Sequence, residues 1–421
     1  MKSICTIAFL IICLRISAQD SLTVNQAVSR ALEHHPALRQ AEAQVSAARY
    51  QIGIARSGFL PAFDAVASYA RIEPPFGNIQ MFPSNLYNFH ISYNQRIFDF
   101  GRTLSNVRVA AASSRIAESD LRIEKSDIAY QTIMVFYSIL FLQDQETVYD
   151  ELIAILQSHL AQARIRLGTG SATDFDTLTA SVRIADMEIR RISVVDQLTK
   201  QKAQLCGMIG APCDSSMRAS GHFSESKEIP NSDSMVDLGL RQVPEVQAAR
   251  QAQTLSSLTY RAAKLERYPL LGASALYGFQ NGYIPNTNQL KANWQAGAQL
   301  TLPIFSGFRV TNTINQAAEQ YQAAQARTRD VERRITTSIE QTISDIRADI
   351  ERVAGADLQV AQAQEAVSIA QTRYTLGSVT NLDVLDASAS LADAKVNALQ
   401  ARFELQLARF ALRKAVGEQA W

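Results

Sequence analysis

Residues 373–387, RYTLGSVTNLDVLDA, place a glycine between two patterns typical of helices and follow it with two aspartates three positions apart. Residues 166–180, RLGTGSATDFDTLTA, repeat this arrangement with Asp176 at the first aspartate position and Thr179 at the second. Glycine between two helices allows a left-handed backbone, which ends one helix and lets the chain reverse direction. The sequence therefore predicts two helical hairpins with related turns, only one of which carries a carboxylate pair at this spacing.

The similarity between the two stretches extends over most of the chain. Pro36 matches Pro244 at an offset of 208 residues, and Gly101 matches Gly307 at an offset of 206. Landmarks that keep their register over such a distance indicate an internal duplication. The expected division is a first repeat at residues 19–210, a linker rich in Gly, Pro and Ser at 211–234, and a second repeat at 235–421.

The first 18 residues have the pattern of a secretory signal, in which Lys2 precedes an apolar run and small residues end at Ala18. Cys13 raises the alternative of a lipoprotein, but residues 10–12 lack the small side chains that usually precede a lipidated cysteine. Beyond this segment the sequence contains no apolar run of about 18 residues, the length that a membrane-spanning helix needs. An exported chain of this kind is periplasmic, secreted, or crosses an outer membrane by strands.

The composition disfavours several classes of function. The chain carries 41 basic and 40 acidic residues, so no charge excess directs it to nucleic acid. The five histidines show no metal-ligand spacing, and neither a nucleophile motif nor a phosphate-binding glycine loop is present. We therefore expect no enzyme, no metal and no cofactor. After removal of the signal, Cys206 and Cys213 remain, and they form either a disulfide or two free thiols.

Both repeats show the same order of predicted elements. A helical segment comes first, then two strands, then a very long helix, the glycine turn and a last helix. In the first repeat the helical segments are residues 22–54, 102–167 and 173–208. In the second repeat they are residues 235–266, 309–376 and 380–416. Apolar residues recur every seventh position in both long helices, from Leu121 to Leu156 and from Ile339 to Tyr374. Such heptads predict coiled coils, here on the order of 100 Å long.

The predicted strands, residues 59–72, 87–94, 270–280 and 292–302, form two hairpins. In 87–94 and 292–302 apolar residues alternate with polar ones, which predicts sheets with one apolar face. Four strands are too few to close a membrane barrel, since such barrels begin at about eight strands. An open sheet in lipid would leave backbone groups without hydrogen bonds. Strands that cross a membrane would therefore need two or three chains to share one barrel. The alternative is a small sheet that caps a soluble helical bundle.

Several stretches resemble TolC-family outer-membrane efflux proteins. They are SLTVNQAVSRALEHHPALRQAEAQVSAAR (residues 21–49), NQRIFDFGR (94–102), LTLPIFSGFR (300–309) and, most specifically, RYTLGSVTNLDVLDASASLADAKVNALQARFELQLARFALRKAVG (373–417). The resemblance implies a mainly α protein with a β-barrel part. Three chains would form a 12-stranded β-barrel in the outer-membrane lipid, with four strands from each chain. A long periplasmic α-helical coiled-coil barrel would continue it.

The same resemblance implies the function of an exit duct in a tripartite efflux or type I secretion system. Such a duct passively conducts substrates that an inner-membrane RND, ABC or MFS transporter delivers through a periplasmic membrane-fusion adaptor. The competing hypothesis is a soluble periplasmic coiled-coil scaffold or adaptor without a membrane barrel. The cargo, whether drugs, metals or proteins, is not indicated by the sequence.

The resemblance also assigns roles around the two turns. Asp383 and Asp386 would form the pore constriction, and the alternative is that both only cap or solvate a helix start. Asp176 and Tyr374 would hold the entrance closed, while Val379 stands where the family latch uses an arginine. The adaptor would dock on the hairpin tips, and the alternative is that their glycines serve only the turn. The tip residues are Gly168, Gly170, Ser171, Gly377, Ser378 and Val379.

Overall fold

The computed structural model describes residues 21–72, 83–212, 217–224 and 226–418. The predicted signal segment and Cys13 lie outside these residues. In the first half of the chain the elements are β1 (Ser21–Leu22), α1 (Val24–His34), α2 (Pro36–Ser57), β2 (Ala62–Arg71), β3 (Asn85–Phe98), α3 (Arg102–Gly168) and α4 (Asp174–Ile209). In the second half they are β4 (Arg218–Ala219), α5 (Ser232–Gln242), α6 (Pro244–Lys264), a 3₁₀ turn (Leu265–Arg267), β5 (Leu270–Gln280), β6 (Lys291–Thr301), α7 (Arg309–Thr375) and α8 (Asn381–Val416).

The first helical segment of each repeat was predicted as one helix, and this prediction is wrong. Residues 22–54 form β1, α1 and α2, and residues 235–266 form α5, α6 and the start of the 3₁₀ turn, with α2 and α6 each beginning at a proline. A proline disfavours helical geometry in the residue before it. Accordingly His35 and Val243 have extended ψ angles of 124°. A proline at the first position of the next helix costs nothing, because its missing N–H would have had no helical partner.

The two long helices confirm the heptad prediction. α3 and α7 each run for 67 residues, and their ends lie within one residue of the predicted ones. The heptad residues Ile128, Val135, Leu142, Tyr149 and Leu156 of α3 are all buried. In the described part of the chain, no helix is both long and apolar enough to cross a membrane.

The chain forms two compact units, each made from both repeats. The sheet unit contains Gln40–Arg122 and Pro244–Glu332. The helical unit contains the described residues before Gln40, Ile123–Val243 and those after Glu332.

Part of the core of the helical unit is the packing of α7 against α8. Ile339 and Ile346 of α7 form a buried cluster with Leu405 of α8. Further along, Ala356 of α7 meets Ala398 and Ala401 of α8 in a second buried cluster. Small side chains at such contacts allow the two helix backbones to approach closely. The segment predicted as a linker also contributes to this unit, because β4 pairs with β1 in parallel.

The sheet unit contains one antiparallel sheet with strand order β2-β3-β5-β6. Its register places large apolar side chains opposite one another on one face, as in the row Ile91, Tyr277 and Trp294. These three side chains are exposed, with 50%, 59% and 76% of their surfaces accessible. Neither outer edge, on β2 or on β6, pairs with a strand in the part of the chain that the structure describes. The sheet therefore has an uncovered apolar face and two open edges.

A glycine substitution tests the close pairing of β3 and β5. A Cβ atom at Gly278 would lie 2.1 Å from the carbonyl oxygen of Phe89 and 2.5 Å from the Cα of His90. We expect Gly278→Ala to destabilise the protein by about 3 kcal/mol or more, because backbone atoms must move to admit the methyl group. The matched control is Gly297→Ala in β6, where an added Cβ atom would meet no described residue within 4 Å apart from its sequence neighbours. The measurement is the yield and unfolding temperature of both variants, and equal values would contradict this account of the sheet.

Candidate functional site: the two hairpin turns

The two predicted turns have the same backbone structure. Gly170 and Gly377 have φ angles of +76° and +75°, in the left-handed region. The N–H of Ser171 donates to the carbonyl of Arg166 at 2.8 Å, and the N–H of Gly170 donates to that of Leu167. This pair of bonds is a Schellman motif, which satisfies the last carbonyls of a helix.

The second turn repeats these bonds. Ser378 donates to Arg373 and Gly377 donates to Tyr374, both at 3.0 Å. The side chains of Ser171 and Ser378 are exposed, Val379 is half-buried, and Gly168 is the last residue of α3.

Each helix after a turn begins with a capping box. Thr173 precedes α4, and its N–H and hydroxyl both donate to the carboxylate of Asp176 at 2.8 Å. Thr380 precedes α8, and its N–H and hydroxyl both donate to Asp383 at 2.7 Å. The hydrogen bonds from the hydroxyl and N–H of Thr380 lower the pKa of Asp383 below its ordinary value. Asp383 therefore stays ionised while it caps the helix. Asp176 is the matching residue of the capping box in the first repeat.

Asp386 does not cap α8; its carboxylate forms an ion pair instead. It lies one turn beyond Asp383, and its Oδ1 atom is 3.2 Å from Nη2 of Arg183 on α4. The two side chains retain 59% and 40% of their surface exposure, so the ion pair faces solvent in the single chain. The two predicted constriction residues thus have different surroundings.

A buried polar cluster joins both hairpins just behind the turns. The Nε2 atom of His159 on α3 lies 2.6 Å from Oδ1 of Asn381, the first residue of α8. The amide nitrogen of Asn381 donates to the carbonyl of Asp176 at 3.1 Å and to the hydroxyl of Thr179 at 3.0 Å, both on α4. His159 and Asn381 are each only 4% exposed. Asn381 therefore connects α3, α4 and α8 through the hydrogen bonds of its buried side chain.

Tyr374 packs beside this cluster. Its ring centre lies 5.0 Å from that of His159 and 4.5 Å from the guanidinium carbon of Arg166. Arg166 also donates to the carbonyl of Thr375 at 2.6 Å. The Tyr374 hydroxyl is buried and has no hydrogen-bond partner within the described residues. The structure therefore does not join Tyr374 to Asp176 by a hydrogen bond, and the closing role predicted for this pair stays a prediction.

The cysteines lie away from the turns, near the end of α4. Cys206 is 4% exposed and forms a disulfide. Cys213 lies outside the described residues, so its pairing with Cys206 stays a prediction.

Several residues of the site were not predicted from the sequence. The T-x-x-D spacing of Thr173 and Thr380 signals a capping box and could have been found. His159, Asn381 and Arg183 carried no local signal, because their partners lie more than 200 residues away in the chain.

Comparison with known proteins agrees with this architecture. The chain is 24% identical over 403 residues to the outer membrane efflux protein BepC of Brucella suis, covering 94% of this chain and 86% of BepC. It is 22% identical over 394 residues to the outer membrane protein TolC of Vibrio cholerae, covering 92% and 89%. The fold matches the crystal structure of the Campylobacter jejuni CmeC outer membrane channel with a TM-score of 0.81, at 18% identity and over 94% and 87% of the two chains. Residues 27–211 and 236–418 both match the family described as outer membrane efflux protein. The chain therefore belongs to the outer membrane efflux protein family.

Proposed function

We propose that three copies of this chain form an exit duct that carries substrates from the periplasm across the outer membrane. Membership of the outer membrane efflux protein family places the chain in that membrane. The observation that carries the proposal is the four-stranded sheet with an uncovered aromatic face and two open edges. Three such sheets supply twelve strands, which is enough to close a barrel and to satisfy every edge. The apolar face then meets lipid.

The hairpin turns form the periplasmic mouth of this duct. Each chain contributes two turns, so a trimer presents six of them. Asp383 and Asp386 of three chains then surround the axis with up to six carboxylates. A ring of carboxylates favours cations and disfavours anions, as charged rings do in other pores.

The buried hydrogen bonds of Asn381 are the contacts best suited to hold this mouth closed. They join the hairpin of α3 and α4 to the start of α8, and they lie two residues before Asp383. This chain has Val379 where the family latch uses an arginine, and the Tyr374 hydroxyl makes no bond to Asp176. Closure therefore depends on the Asn381 cluster, with Tyr374 contributing through its ring.

The duct works with partners on its periplasmic side. The exposed tips around Gly170, Ser171, Gly377 and Ser378 offer a docking surface for a membrane-fusion adaptor, which connects the duct to an inner-membrane transporter of the RND, ABC or MFS class. BepC and TolC are named as outer-membrane proteins, and BepC as an efflux protein. Co-purification of the tagged chain from its own cells would identify the adaptor and the transporter.

Membrane fractionation separates this proposal from a soluble periplasmic scaffold. We expect the chain in the outer-membrane fraction, where it migrates in mild detergent gels as a trimer that heating converts to monomer. A closed barrel resists detergent because each strand is hydrogen-bonded on both sides. Recovery of a soluble protein from the periplasmic extract, with no heat-sensitive trimer, would contradict the proposal.

A further inference from the structure

We propose that Arg183 offsets the charge of the carboxylates at the entrance, so that the mouth of the duct is a paired-charge lining and not a bare acidic ring. The inference rests on the proposed function, since it requires Asp383 and Asp386 to face the conduction path. It adds Arg183 to the residues that determine which charged substrates the duct favours. Its consequence is that anionic and zwitterionic substrates meet less repulsion at this mouth than an unpaired carboxylate ring would impose.

The first observation is the position of the guanidinium. Nη2 of Arg183 lies 3.2 Å from the carboxylate of Asp386, and both side chains are partly exposed. If Asp386 faces the lumen, Arg183 lies on the same surface. Asp383 is also engaged, because it accepts two hydrogen bonds from Thr380. The charges of Asp383, Asp386 and Arg183 together leave a single net negative charge from each chain.

The second observation is that the arrangement recurs two helical turns further along. Arg190 follows Arg183 by seven residues, and its guanidinium lies 3.5 Å from Asp393, which follows Asp386 by seven. Arg190 also contacts Asp186 at 3.3 Å. Seven residues of helix rise about 10 Å. The lining therefore has two successive levels, each with two carboxylates and one arginine on α4 and α8.

A purely structural role explains these pairs less well. Exposed ion pairs contribute little to the stability of a fold, because water and salt screen them and the side chains lose mobility. The charge of an arginine beside a narrow path nevertheless acts on every ion that passes. These ion pairs are thus expected to have a small effect on the stability of the fold and a large effect on ion selectivity.

Block of single channels by a trivalent cation tests the inference. The purified wild-type trimer is recorded in planar lipid bilayers while hexaamminecobalt(III) is added to the side of the hairpin turns. We expect Arg183→Gln to lower the half-blocking concentration by on the order of tenfold, because three positive charges leave the ring. The reversal potential in a KCl gradient should shift toward cation selectivity. Arg190→Gln should shift the half-blocking concentration and the reversal potential in the same directions, but by smaller amounts.

Two control variants separate charge from structure. Arg183→Lys keeps the positive charge and should behave like the wild type. Lys200→Gln removes a positive charge from the same helix and should also behave like the wild type. Lys200 pairs with Asp196 of its own helix and belongs to neither level of the lining.

The outcomes distinguish this inference from the proposed function. Channels that form normally but show the same block in Arg183→Gln, Arg190→Gln and the wild type would overturn the role of Arg183 and leave the duct intact. A wild-type protein that forms no channels would overturn the proposed function itself.

Discussion

Replacing Asn381 with leucine should leave the entrance of the duct open. The change removes the hydrogen bonds to His159, Asp176 and Thr179 and leaves the buried Nε2 atom of His159 without its Asn381 partner. A buried polar group that loses its partner costs about 1–3 kcal/mol, which is enough to shift a closed entrance toward open states. We expect a larger and less fluctuating single-channel conductance, and greater sensitivity of the cells to antibiotics too large to cross the closed channel.

The design of this experiment uses the internal repeat. Asp174 occupies the matching position at the start of α4 and is exposed, so Asp174→Leu should change conductance little. His159→Leu should open the entrance, and the double variant with Asn381→Leu should add little, because both changes break one shared bond. Tyr374→Phe removes only a hydroxyl that has no partner among the described residues, and it should leave conductance near the wild-type value. A normal conductance in Asn381→Leu trimers would contradict the role of this cluster.

Neutralising Asp386 should remove most of the block by multivalent cations. Asp386→Asn takes one carboxylate per chain from the ring and leaves the capping box of Asp383 intact. We expect the half-blocking concentration of hexaamminecobalt(III) to rise by at least about tenfold, because three negative charges are lost around the axis. The double variant Asp383→Asn and Asp386→Asn should abolish block, at the expense of about 1 kcal/mol of helix stability from the weakened cap.

The matched control for this prediction is Asp196→Asn. Asp196 lies on α4, is exposed and pairs with Lys200 within its own helix, so its loss changes net charge without touching the ring. Block that persists unchanged in Asp386→Asn would place these aspartates outside the conduction path.

The architecture of this chain is largely encoded in patterns that a single sequence displays. Hydrophobic spacing of two and of seven predicts the strands and the long helices, and the glycines at 170 and 377 predict the turns. These signals are local, and each depends on a few neighbouring residues. The helix breaks before Pro36 and Pro244 were equally local and were missed because helical composition continues on both sides of each proline.

The contacts of the site depend on tertiary packing and could not be predicted in this way. Arg183 meets Asp386 only because the α3–α4 and α7–α8 hairpins pack together, since the two residues are 203 positions apart in the chain. The same holds for His159 and Asn381, which are 222 residues apart. Family resemblance pointed to Asp176 and Tyr374, whose closing role stays a prediction: Asp176 caps its own helix, and the Tyr374 hydroxyl has no hydrogen-bond partner among the described residues.

Single-channel recording of the purified wild-type trimer tests the central claim most directly. If three chains share a barrel whose mouth is lined by Asp386 and Arg183, the protein inserted into a planar bilayer should give discrete conductance steps. Trivalent cations added to the side of the hairpin turns should block these steps, and the same cations on the opposite side should block them far less. A purified trimer that gives no conductance steps, or steps blocked equally from both sides, would contradict the account.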